Sequence, residues 1–310
     1  MSFNRFQIEV ATGRFTLPVV ILVCLLLWGV SFQGWNELIS LGITTIIGYV
    51  LIETNTAFNL IRTRTTMPVC IYWLIASALF FLHPFEWTNL VPLIYLLATY
   101  QLFVSYESPS LSPPIFHTFL LVSLGSMVFP PFLYIVPLLW GSMIPFRAMN
   151  GKSFLASWIG LITPYWFPFG YGVYFDEMHL LLRPLQEALH FHPIDYRCLT
   201  INEITSWAYI TVLLLISGIH YWQIAYMDKT RTRIFHSFLA IAGIWVTVCS
   251  ILQPVYVREW MSIQLVCTAF LSGHLFSLTR NRFSGIFFIV TFVLYILLMS
   301  FNLWMQYFNS

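Results

Sequence analysis

Charge is what this 310-residue sequence has least of: Asp, Glu, Lys and Arg together make up 8% of it. A soluble domain carries about 25% charged residues to cover its surface, so a water-facing exterior over most of the chain is excluded. Cysteine is sparse as well, with five residues. Cys24, Cys70, Cys249 and Cys267 fall inside apolar stretches and Cys198 alone in a polar one, which excludes an intramolecular disulfide framework. There is no CxxC, no glycine-rich phosphate loop and no HExxH, so the short signatures of thiol redox, nucleotide and zinc-protease chemistry are missing. No polar segment is long enough to fold by itself, and neither a cofactor nor a nucleic-acid partner is expected.

Hydrophobic residues, by contrast, are 59% of the chain and aromatics 18%. A stretch of about 20 apolar residues crosses the hydrocarbon core, and continuous rather than alternating runs point to helices. The sequence predicts an all-α polytopic membrane bundle, one transmembrane domain over 1–310. Its spans fall at about 16–33, 38–60, 67–83, 88–105, 115–129, 131–146, 153–174, 205–222, 234–253, 259–277 and 285–307. Pro130-Pro131 divides 115–146 into two short halves, so eleven crossings stand beside a reading with nine and a re-entrant hairpin.

Eleven of the fourteen Lys and Arg residues occupy every second gap between these runs: Arg5, Arg14, Arg62, Arg64, Arg147, Lys152, Lys229, Arg231, Arg233, Arg280 and Arg282. Positive residues near span ends resist export, which predicts a cytoplasmic N-terminus and an external C-terminus. The acids drift the other way. Glu37, Glu86, Asp176, Glu177, Glu187, Asp195, Glu203 and Glu259 fall in the outer gaps or at outer span ends, against Glu9, Glu107 and Asp228 inside.

The longest connection, 175–204, is expected to be an external loop with structure of its own. Asp176, His179, Arg183, Gln186, Glu187 and His190 recur at three- and four-residue steps, with Met178, Leu181, Leu182, Leu185 and Leu189 on the other face. That spacing predicts an amphipathic helix over 176–192 lying flat on the membrane surface. Asp176 and Glu177 would sit at the positive end of its dipole, and Pro184 would kink it or divide it in two.

Two groups of residues invite chemistry. Glu53 is the one acid placed well inside a span, and a carboxylate there costs several kcal/mol unless protonated or paired. It is expected to face the bundle interior, where it and His117, His220, His236 and His274 could line a proton or ion path; the alternative is a structural hydrogen bond and histidines that pack or snorkel. On the outer side, Trp35-Asn36-Glu37, His83-Pro84-Phe85-Glu86-Trp87 and Arg258-Glu259-Trp260 set an acid beside an aromatic at three span ends. Such pairs bind sugars and deprotonate acceptor hydroxyls. Glu37 and Glu86 are thus candidate general bases, Trp35 and Trp87 candidate binding residues, and Arg183 and Arg197 candidate partners for a phosphate. An ordinary aromatic belt with solvated acids is the alternative. His190-x-His192 with Asp195 falls short of a metal site, having too few firm ligands.

The segments Asn59-Leu60-Ile61-Arg62-Thr63-Arg64-Thr65-Thr66-Met67-Pro68, Phe129-Pro130-Pro131, Phe146-Arg147-Ala148-Met149-Asn150-Gly151-Lys152 and Leu161-Ile162-Thr163-Pro164-Tyr165 resemble a bacterial family of polytopic inner-membrane proteins of unknown function. The likeness covers roughly 40–180. It implies an inner-membrane setting and a many-span architecture, and no activity. A looser likeness is to membrane glycosyltransferases that use lipid-linked sugars, although the first outer loop is short where those enzymes have a long one. The leading expectation is therefore a cell-envelope protein handling a lipid or lipid-linked substrate on its outer face, in one version a glycosyltransferase. An ion-coupled or small-solute transporter using Glu53 and the histidines, and a non-catalytic assembly factor, are the alternatives.

Overall fold

The structure, a computed structural model, describes residues 3–32, 34–108, 112–176, 179–279 and 281–308, without the side chains of 3–6, 179–183, 282 and 308. Glu177, Met178 and Arg280 lie outside the described residues, as do the side chains of Arg5, His179, Leu181, Leu182, Arg183 and Arg282.

The described chain is helical, with no strand among the described residues. In order it forms α1 (Phe3–Thr12), α2 (Thr16–Val30), α3 (Trp35–Phe58), α4 (Met67–Ala78), α5 (Val91–Val104), α6 (Pro113–Val128), α7 (Val136–Met143), α8 (Gly151–Phe175), α9 (His179–Leu189), α10 (Ile201–Ile224), α11 (Thr230–Leu252), α12 (Val257–Leu278) and α13 (Arg282–Phe308). Short 3-10 turns precede α5 at Trp87–Leu90, α7 at Pro130–Ile135 and α12 at Pro254–Tyr256. Prolines mostly open helices here: α4, α5 and α7 each carry one in the first turn and α6 two, where no backbone donor is needed. Asn59 and Asp176 close α3 and α8 in the left-handed conformation, at φ 48° and 59°.

Among the described residues six helical segments are long and apolar enough to cross a membrane: Trp35–Phe58, Trp87–Val104, Ile201–Met227, Thr230–Leu252, Pro254–Leu278 and Phe283–Tyr307. This is a membrane-embedded helical bundle. The spans read at 16–33, 67–83, 115–129 and 131–146 coincide with α2, α4, α6 and α7, which are only 15, 12, 16 and 8 residues long.

The bundle is built around α12, whose segment is 89% buried. Small residues let its neighbours close in. A methyl group on Gly273 would come within 2.7 Å of Pro68 at the start of α4, and one on Gly160 of α8 within 2.6 Å of the Phe116 carbonyl of α6. Close backbone approach of this kind replaces the hydrophobic drive that lipid removes.

The bundle has a basic and an acidic end. At the basic end Arg231 lies over Phe58 and Tyr106, Phe146 packs on Phe235, and Arg147 pairs with Glu107 at 3.0 Å. Helix α1 docks there through Gln7, whose amide donates to the carbonyls of Phe276 and Thr279. At the acidic end Phe129 and Tyr134 pack on Trp260. The α6–α7 hairpin thus turns beside Trp260 at the acidic end and returns to Phe235 at the basic one.

The 175–204 segment departs from expectation in two respects: its helix covers 179–189 rather than 176–192, and Asp176 caps the C-terminus of α8 instead of opening α9. Of the two outcomes expected at Pro184, division into two helices does not occur, since it lies inside one helix. Pro184 is only the sixth residue of α9, so the one backbone bond its ring removes is close to the helix start. The segment is held down by Tyr134, whose hydroxyl donates to the Ala188 carbonyl at 2.6 Å, and by Tyr196, which donates to the Ile251 carbonyl at 2.9 Å.

Candidate functional site

At the acidic end, α3, α4, α5 and α12 enclose a cleft lined by Trp28, His83, Glu86, Asn89, Arg258 and Glu259, among others. The polar groups come from separate elements because each follows a helix end. Glu86 and Asn89 flank the turn before α5, and Arg258 and Glu259 open α12. Asn89 fastens the floor, donating to Ser40 Oγ at 3.0 Å and to the Pro84 carbonyl at 3.0 Å. His83 is buried, stacked on Trp28 at 3.8 Å and sharing a 2.5 Å hydrogen bond with Ser31. Arg258 donates from Nε to Glu203, whose other carboxylate oxygen accepts from the backbone and hydroxyl of Thr200 at 2.8 and 2.6 Å. Glu259 is left with a buried Oε2 that has no hydrogen-bond partner among the described residues. The free volume is about 50 Å³, room for a few waters and too small to enclose a larger molecule.

Of the residues read from sequence as a site on this side, Glu86 lines the cleft and Glu37 does not. Glu37 is buried near the start of α3, with Oε2 unpartnered among the described residues, and is poorly placed to meet a substrate. Trp35 and Trp87 are exposed, the latter beside Phe85. Arg197 is exposed in the 190–200 segment, away from the cleft lining, with its backbone N–H donating to Asp195. Arg183 cannot be placed, since its side chain is outside the described residues. The cation that does reach the acids is Arg258, which the sequence offered only as part of a Trp-bearing span end.

The second cluster lies at the basic end, between α10, α11 and α12. Asp228, in the turn between α10 and α11, accepts from His274 Nε2 at 2.9 Å and pairs with Arg62 at 3.1 Å. The side chains of Asp228 and His274 are 2% and 1% exposed, that of Arg62 53%. His236 Nδ1 donates to the Thr232 carbonyl at 3.2 Å, and its ring lies 4.8 Å from that of His274. Tyr221 stacks on His236 at 4.8 Å and meets His274 edge-on at 5.0 Å. Burial disfavours the Asp228 charge, but the hydrogen bond from His274, its positive charge once protonated, then Arg62 and a protonated His236, outweigh it and hold the carboxyl below its ordinary value.

This cluster corrects the expectation built on Glu53. Glu53 is exposed on α3, about 8 Å of helix rise before the end of that helix, within snorkelling reach of the interface. His117 is exposed beside Phe116. His220 stands at the margin, its Nε2 sharing a 3.3 Å hydrogen bond with Thr279. The acid that meets His236 and His274 is Asp228. Above them in the core, Gln264 bridges α10 and α11, donating to Thr211 at 3.0 Å and Thr247 at 2.8 Å. His190 and His192 sit 4.9 Å apart, with His192 hydrogen-bonded to Tyr256. An apolar groove of about 460 Å³ between α2, α4 and α13 carries almost no polar lining and lies on the other side of α4 from the cleft.

The chain matches no family model, no curated protein and no solved structure. The two clusters therefore carry the functional argument.

Proposed function

We propose that the chain is a multi-pass bacterial inner-membrane protein that handles a lipid or lipid-linked substrate at its acidic end, on the periplasmic side. The orientation rests on the cationic gaps, which favour the cytoplasm. The return of the α6–α7 hairpin from Trp260 to Phe235 favours two crossings there over a re-entrant loop, and with it eleven crossings and an external C-terminus; α9 then lies on the outer lipid surface.

The convergence of Arg258, Glu86 and Glu259 on one cleft at the membrane boundary carries the proposal. A half-exposed guanidinium beside carboxylates suits a phosphate or pyrophosphate whose hydrocarbon stays in the bilayer. Glu86, exposed at the mouth, is placed to accept a proton from an acceptor hydroxyl, the glycosyltransferase-like version of this function. Arg258 takes the part expected of Arg183 and Arg197, and Glu86 that shared with Glu37.

The test is the lipid retained by the purified protein, read by native mass spectrometry. The wild type should keep a phosphate-bearing lipid. Arg258→Gln should lose most of it, about tenfold for a charge-assisted contact worth ~1.4 kcal/mol. The same lipid complement in both proteins overturns the proposal.

A further inference from the structure

Both buried histidines at the basic end have their tautomers set by their partners. An ionised carboxylate only accepts, so Asp228 requires the proton of neutral His274 to be on Nε2. A carbonyl also only accepts, so Thr232 requires that of neutral His236 to be on Nδ1. The remaining nitrogens, His274 Nδ1 and His236 Nε2, carry bare lone pairs. Neither has a hydrogen-bond partner among the described residues, and the same is true of the hydroxyl of Tyr221, whose ring packs against both imidazoles. Three unsatisfied polar atoms in one place, on side chains that are 0%, 0% and 1% exposed, are costly. Buried ionisable groups in a membrane bundle mark ion or proton sites.

We propose that the Asp228–His274–His236–Tyr221 cluster is a proton-binding site that fills from the basic end. A proton adds to the lone pair of His274 Nδ1, giving an imidazolium whose Nε2–H still donates to Asp228. It is then passed to the lone pair of His236 Nε2, the ring of which lies 4.8 Å from that of His274. No bond other than N–H or O–H is made or broken, and no oxidant or co-reactant is required.

The surrounding charges fit this sequence of events. Arg62, from the α3–α4 connection, is the cation facing Asp228, and its half-exposed side chain is free to swing away as the imidazolium takes over the carboxylate. Arg233 of α11 acts on Tyr221, and His220 of α10 is in turn influenced by His274. Among the described residues these are the charged or titratable groups that α10, α11, α12 and the α3–α4 and α10–α11 connections bring to the cluster. A proton suits it better than a metal ion. Among the described residues no group of three His, Cys, Asp or Glu side chains is placed to hold a metal, and two ring nitrogens fall short of the four ligands a structural zinc takes. The inference does not depend on the lipid reading, because it concerns the opposite end of the molecule.

The test is an NMR titration of the imidazole signals of the full chain in detergent, with histidine isotopically labelled, from about pH 8 to pH 5 around the ordinary ~6.5 of imidazole. His236→Gln and His274→Gln assign the two rings. In the wild type the two should titrate together, taking up one proton between them. Asp228→Asn, which keeps an acceptor for His274 but removes the charge, should move that shared step down by about one pH unit, tenfold in proton affinity. Should Asp228→Asn misfold, loss of the shared step in His236→Gln, with His274 then titrating alone, tests the same coupling. Rings that titrate independently, or that take up no proton across the range, overturn the proposal. So does one tightly bound transition-metal ion per chain that disappears in His236→Gln.

Discussion

Arg258 at the start of α12 and Glu203 at the start of α10 form an ion pair whose two halves live in different solvents: the guanidinium is 45% exposed and the carboxylate 4%. The pair joins two helices at the acidic end and completes the hydrogen bonding of a carboxylate already held by Thr200.

Removing the exposed half therefore strands the buried one. Arg258→Ala should lower stability in detergent by about 1–2 kcal/mol, below the cost of a fully buried pair because water reaches the guanidinium. Glu203→Gln should cost less, since the amide oxygen still accepts from Thr200. Unfolding midpoints give the comparison, and equal losses in the two variants would show that the pair contributes no asymmetry of this kind.

Helix α8 contains its own control for packing. Gly160 faces the Phe116 carbonyl so closely that an added methyl would sit at 2.6 Å, whereas Gly170 has nothing within 4 Å. Gly160→Ala should destabilise by about 1–3 kcal/mol through forced separation of α6 and α8. Gly170→Ala should be neutral or stabilising, because alanine is the better helix former by up to about 1 kcal/mol. If Gly160→Ala is as harmless as Gly170→Ala, the close approach of the two helices is wrong.

How much of this could be read from the chain depended on the kind of signal. Long apolar runs announced α3, α10, α11, α12 and α13, and the double proline at 130–131 announced the turn of a hairpin. The buried stripe of α8, Ser153, Ser157, Gly160 and Pro164, also repeats at three- and four-residue steps, a readable mark of close packing. Which way a lone polar residue points was not legible. In a membrane bundle the lipid side and the core side of a helix are equally apolar, so the amphipathic contrast that orients a helix in water is missing. Glu53, Tyr49 and Thr56 share a face as their spacing implied, but that face is exposed. Asp228 escaped notice for a different reason. It stands beside Lys229 in a cationic turn, and its partners Arg62 and His274 come from distant parts of the chain. Only folding shows that it is buried.

Cys198 makes the orientation testable without introducing any residue. It is exposed, while Cys24, Cys70, Cys249 and Cys267 are buried, and it belongs to the segment fastened to the acidic end through Tyr196. A maleimide that cannot cross membranes should label intact spheroplasts at this one cysteine. Labelling that appears only after the membrane is opened would place the acidic end in the cytoplasm and withdraw the periplasmic assignment of the cleft.

Asp228 should give the protein an acid sensitivity traceable to one side chain. Its carboxyl lies below the ordinary value despite burial, because His274 first and then Arg62 and His236 favour the charged form. A carboxyl that is more acidic folded than unfolded binds fewer protons in the native state, so stability falls as protons are added. The contribution is therefore fully present above the unfolded carboxylate value of ~3.9 and is lost as the pH falls through the lower folded value. Asp228→Asn removes that contribution at all pH values. The variant should be less stable than the wild type at about pH 5, where the histidine step is complete, and the gap should narrow as the pH falls below ~3.9, as measured by unfolding midpoints in one detergent. A gap that stays constant down to about pH 3 would mean that the charge of Asp228 contributes nothing to holding α10, α11 and α12 together at the basic end.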